Sequence, residues 1–92
     1  MQTKLSLKKI GLVDDETLFR RIISAALQQK NIEICLEAGD GWEMTQKISP
    51  DNLPDLILLD YLMPRMDGLQ SLKWLKADYP QIPVWILSSL PA

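Results

Sequence analysis

The sequence predicts an α/β domain, a parallel sheet flanked by helices on both faces. Apolar runs of strand length alternate along the chain with segments of helical apolar spacing. Two of those runs, Lys9–Val13 (KIGLV) and residues 55–60 (DLILLD), show no polar alternation, as expected of strands covered on both faces. The connections are short, and alternation of this kind implies parallel strands joined by right-handed crossovers.

Each element has its own signal. After the first strand, Leu18, Phe19, Ile22, Ile23, Ala26 and Leu27 recur at three- and four-residue spacing over residues 16–30, which predicts an amphipathic helix capped by Asp15 or Asp14. Ile32, Ile34, Leu36 and Ala38 then alternate with Glu33, Cys35 and Glu37; two carboxylates on one face mark an edge strand. Gly39-Asp40-Gly41 breaks the chain and starts a short helix over about residues 42–48, closed by Ser49-Pro50-Asp51-Asn52 and Pro54. The second buried-type strand ends in Asp60. A loop from Met63 to Gly68 leads into a third helix marked by Leu69, Leu72 and Leu75, ending near Asp78-Tyr79-Pro80. Residues 83–87 (PVWIL) form the fourth strand, and Ser88-Ser89 follow it.

Composition narrows the chemistry. Ninety-two residues make one domain at most, and 47% apolar with 24% charged residues is ordinary globular composition. The net charge of −2 offers no basic stripe for nucleic acid. Without a histidine there is no Ser-His-Asp or Cys-His nucleophile and no histidine zinc site. The single cysteine, Cys35, forms no internal disulfide, and no apolar run of membrane length or signal-peptide core occurs, so a cytoplasmic location is expected.

Ligands in open parallel sheets bind off the carboxyl ends of the strands. Asp14, Asp15, Asp60, Ser88 and Ser89 all fall at such ends. Three crowded aspartates repel one another unless a cation compensates, and an oxygen-only donor set suits Mg²⁺ far better than zinc. A hard cation beside hydroxyls is apparatus for phosphoryl groups, and a carboxylate such as Asp60 can itself accept phosphoryl as an acyl phosphate. The plain alternative for Asp14 and Asp15 is a helix cap and an exposed first-turn carboxylate.

The residues resemble the receiver domain of two-component response regulators. Leu12-Val13-Asp14-Asp15 matches the family's strand ending in paired acids. Residues 60–68 match its D-x-x-M-P-x-M-D-G loop, and Ser88 matches its small hydroxyl residue after the fourth strand. Residues 13–20 with Glu37-Ala38-Gly39-Asp40-Gly41 resemble the subgroup that usually carries a helix-turn-helix output domain. The likeness runs from about Lys8 to Ser89 and implies a flavodoxin-like fold. It implies Asp60 as phosphoacceptor, Asp15 as the principal Mg²⁺ ligand, Asp14 assisting, Leu62 giving its backbone carbonyl, and Ser88 bonding the phosphoryl group as the switch. Asp60 would also hold the ion. It further implies a histidine kinase or phosphotransfer protein as donor, and a regulatory role, not an enzyme's.

The family continues past the fourth strand with a helix, a fifth strand bearing a lysine that pairs with the phosphoryl group, and a closing helix. The sequence stops at Ala92 without them, so residues 1–92 read as a receiver incomplete at its C-terminus, its DNA-binding output domain lying outside this chain. Lys73 and Lys76 belong to a solvated helix face and do not replace that lysine. In the family's strand order the fourth strand becomes an edge, uncharged from Ile82 to Ala92, and self-association through it is expected. Two rival readings remain. One is a receiver fragment that takes no phosphoryl group and serves in assembly. The other is a Mg²⁺-dependent aspartyl-phosphate hydrolase, whose second aspartate would stand where this chain has Leu62. Trp85 is expected in the core, Trp42 as a partly exposed cover of the sheet, and Cys35 as an inert thiol.

Overall fold

The computed structural model describes residues 7–87. Strands β1 (Lys9–Val13), β2 (Glu33–Ala38), β3 (Leu56–Asp60) and β4 (Val84–Leu87) alternate with helices α1 (Thr17–Gln28), α2 (Gly41–Lys47) and α3 (Gly68–Asp78), with a 3-10 turn at Pro50–Asn52. All pairings are parallel, in the order β2-β1-β3-β4. The α/β expectation holds, and β2 lies at an edge as its glutamates predicted.

Strand alternation divides the core. Val13, Leu36, Ala38, Ile57 and Leu59 pack with Met44 of α2 and Leu75 of α3, while Ile10, Leu12 and Leu56 are buried on the opposite face. The β1–β2 ladder is not regular. Ile10 pairs with Ile34 but Gly11 pairs with Leu36, so Cys35 is an extra residue, a bulge in β2. Its thiol is raised above the ordinary cysteine range by burial and by Glu33, which suits an inert group.

Three expectations need correction. Neither Asp14 nor Asp15 caps α1; the cap position is Glu16, whose side chain makes no capping bond, while Asp14 Oδ1 accepts the N–H of Glu16 itself. The amphipathic stripe of α1 is wider than its contact with the sheet. Phe19, Ile23 and Leu27 are half-buried, whereas Leu18 is 70% exposed and Ile22 also faces out. Trp85 is not core: it is 57% exposed, because β4 has β3 on one side and no further strand among the described residues on the other. Trp74, by contrast, packs against the core and meets Tyr79 at 5.8 Å between ring centroids.

Carboxylates tie the elements together. Asp55 Oδ2 accepts the backbone N–H groups of Lys8 and Lys9, both at 2.9 Å, joining the starts of β3 and β1. Those bonds hold its carboxyl below the usual range. Glu43 is also held low, by the Lys47 ammonium at 2.6 Å and by the Gly39 N–H. A depressed carboxylate stabilises the fold above its unfolded-state pKa, and that contribution is lost as pH falls through the lowered value. Melting temperature should therefore drop between about pH 5 and pH 3. Asp55→Asn should lower it at neutral pH and flatten that part of the curve; an unchanged acid profile counts against the assignment.

Candidate functional site

Val13 of β1 is paired with Leu59 of β3, so the acids that follow each residue are brought side by side at the carboxyl edge of the sheet. Asp14, Asp15 and Asp60 each present a carboxylate oxygen within 4.8 Å of the others; Asp14 and Asp60 are buried and Asp15 is exposed. Burial and the negative charges of Asp14 and Asp15 raise the Asp60 carboxyl above its usual range, against the opposing pull of the Leu62 and Tyr61 backbone N–H groups. The donor set is all oxygen, compact and anionic, which fits a hard divalent ion.

The backbone around these acids is fixed from several sides. The Asp14 N–H donates to the Ala38 carbonyl at 3.0 Å, and Asp14 Oδ1 accepts the Glu16 N–H at 2.8 Å. Arg20 donates through its guanidinium to the Asp14 carbonyl, and its Nε lies 3.0 Å from Glu37 Oε1 on β2. After Asp60 the chain turns outward through residues 61–67. The Tyr61 N–H donates to the Leu87 carbonyl at 3.1 Å, and the Gly68 N–H closes the loop on the Tyr61 carbonyl at 2.8 Å. Asp67 caps α3 in a reciprocal pair with Gln70.

The three expected acids therefore meet, and Leu62 lies in the adjoining loop with its amide toward Asp60. Ser88 and Ser89 lie outside the described residues; the preceding residue, Leu87, is registered opposite Asp60. The sequence reading missed the buttresses. Arg20 and Glu37 were visible only as charges on a helix and a strand, and Arg65 and Asp40 as loop residues. Arg65 Nε donates to Asp40 Oδ2 at 2.7 Å, a contact across 25 residues of chain that no local pattern announces.

Comparison with known proteins agrees with this arrangement. Residues 10–91 match the response regulator receiver domain. A protein-glutamate methylesterase/protein-glutamine glutaminase of Trichodesmium erythraeum is 41% identical over 83 residues, covering 89% of this chain and 23% of that protein. The response regulator protein VraR of Staphylococcus aureus is 42% identical over 82 residues, covering 88% of this chain and 39% of that protein. The chain thus spans less than half the length of these curated relatives. Among solved structures, the receiver domain of the Francisella response regulator 1452 is similar at a TM-score of 0.81 with 32% identity, over 92% of this chain and 69% of that one. A chain of the CheX–CheY–BeF3–Mg²⁺ complex from Borrelia burgdorferi is similar at 0.82 with 26% identity, over 89% and 62%. The family match takes in all four strands from Ile10 onward. Covering most of the chain, that match shows that the chain belongs to the response regulator receiver domain family.

Proposed function

We propose that this chain accepts a phosphoryl group on Asp60 from a histidine kinase or phosphotransfer protein, with Mg²⁺ held by Asp14, Asp15, Asp60 and the Leu62 carbonyl. The observation that carries the reading is the convergence of three carboxylates within 4.8 Å at the ends of β1 and β3. An Asp60 carboxylate oxygen attacks the donor phosphorus, an acyl phosphate bond forms, and the phosphorus–nitrogen bond of the donor phosphohistidine breaks with its electron pair leaving on the imidazole. Bound beside it, a divalent ion neutralises charge on the phosphoryl oxygens. Ser88 is assigned the phosphoryl hydrogen bond and the switch. The BeF3 and Mg²⁺ in the related Borrelia complex, a phosphoryl stand-in with the same ion, support the reading.

The role is regulatory: the phosphoryl group shifts a surface and is not a turnover product. The output is assigned to a DNA-binding domain outside this chain, as in a transcription regulator, with no direct nucleic-acid contact here. The proposed location is cytoplasmic; among the described residues no helix is long and apolar enough to cross a membrane. The uncharged outer edge of β4 adds self-association to the proposal, tested below.

Acetyl phosphate with Mg²⁺ should add one phosphoryl mass to the wild type and none to Asp60→Asn. The variant should also melt higher in chelator, because it removes a buried charge facing two like charges. Equal phosphoryl uptake by both proteins would refute the assignment of Asp60. A wild type that takes none would favour the assembly-piece reading.

A further inference from the structure

The loop that carries Leu62 is closed at its base by the Gly68–Tyr61 bond, but its outer part is tied to a different corner of the molecule. The Gly41 N–H donates to the Met66 carbonyl at 3.0 Å, which links the loop to the first residue of α2. Arg65 makes the second tie. Its backbone holds φ at 61°, the left-handed region that a residue with a Cβ rarely adopts without compensation. In that conformation its guanidinium meets Asp40 at 2.7 Å and lies 4.9 Å from the centroid of the Trp42 ring.

Asp40 is no ordinary surface partner. It is only 4% exposed, and its other oxygen is already committed, Oδ1 accepting the Glu43 N–H at 2.8 Å as the cap of α2. A buried carboxylate built into a helix end is a rigid anchor, and truncating the answering cation would leave it uncompensated. Arg65 therefore fastens the loop to a fixed point only three residues after Leu62.

We infer that Arg65 is a positioning residue for the acidic site, holding the 61–67 loop against the α2 corner through Asp40 and Trp42 so that Leu62 stays beside Asp60. This rests on the phosphoryl-acceptor reading above. Residues that orient a metal site from behind typically govern affinity by about tenfold or more when removed.

The test uses the full chain, with Mg²⁺ affinity read by calorimetry and phosphoryl uptake from acetyl phosphate read by mass. Arg65→Gly removes the side chain while relieving the left-handed backbone, and Asp40→Asn keeps an oxygen for the α2 cap while removing the charge. Each should weaken Mg²⁺ binding by about tenfold, and the double variant should be no worse than either single one, because both delete the same tie. Arg65→Lys should recover part of the loss. Mg²⁺ should change tryptophan emission in the wild type, and that change should vanish in Arg65→Gly and in Trp42→Phe. If Arg65→Gly does not fold, the comparison of Asp40→Asn with Arg65→Lys decides. Wild-type affinity in Arg65→Gly, or additive losses in the double variant, would overturn the inference while leaving the phosphoryl-acceptor reading intact. A wild type that takes neither ion nor phosphoryl group would overturn both.

Discussion

Gly68→Ala is expected to destabilise the chain by about 3 kcal/mol, at the upper end of what overpacking costs. A Cβ at that position would stand 2.6 Å from the Asp60 carbonyl oxygen and 2.7 Å from the Tyr61 Cα. Both are backbone atoms, so no side-chain rotation relieves the clash; β3 and the start of α3 must separate. Against a total stability of about 5–15 kcal/mol, such a loss takes a large share of the folded population. The same displacement moves Asp60 itself, so any folded remainder should bind Mg²⁺ poorly. Gly39→Ala is the matched control, since its Cβ would meet only side-chain atoms, the nearest at 3.4 Å. Its cost should stay within about 0.5 kcal/mol. Urea denaturation of the three proteins reads both values, and equal midpoints for Gly68→Ala and wild type would show that this close approach is not rigid.

The second large effect is on assembly. At tens of micromolar the 92-residue chain should behave as a dimer or larger species, and Trp85→Glu should return it to a monomer. Residues 82–87 carry no charge, and β4 turns Trp85 to one face of the sheet and Ile86 to the other, both exposed. Alongside them the strand has backbone groups that no described residue pairs on its outer side. Apolar surface left in water costs about 25 cal/mol per Å², so a second copy pairing along this edge relieves both kinds of exposure at once. A glutamate in place of the tryptophan would put two like charges close together across the joint. Light scattering over a concentration series measures the outcome. A wild type that stays monomeric at every concentration would remove self-association from the proposal.

How much of this was readable beforehand depended on how local the cause was. The apolar runs KIGLV and LILLD read as strands, and the alternating carboxylates of β2 as an edge, because strand length and alternation are written in a strand's own residues. The meeting of Asp14, Asp15 and Asp60 followed from parallel strands sharing one carboxyl edge. Trp85 was misplaced because a strand's own sequence does not say how many neighbours it has. Arg20 and Arg65 were overlooked because an arginine looks alike in sequence whether it faces water, a backbone carbonyl or a carboxylate. Only the approach of segments distant in sequence distinguishes the cases. The cap of α1 failed for a related reason, since local sequence does not fix the residue at which a helix begins, and here the cap position falls on Glu16.

The bulge at Cys35 sets a limit on how copies of this chain can combine. A strand interrupted by an extra residue, and lined by Glu33 and Glu37, is a poor template for a further strand, so the sheet has one receptive side and one refractory side. A particle with two receptive sides would propagate into a filament, whereas a particle with one can only find its own kind and stop. A second copy pairing along β4 would therefore close a twofold pair, an eight-stranded sheet in which each acidic site, at the ends of β1 and β3, lies about two strands from the joint. Deleting Cys35 would restore an unbroken β1–β2 register but leave Glu33 and Glu37 on β2, so that edge should stay closed to a further strand.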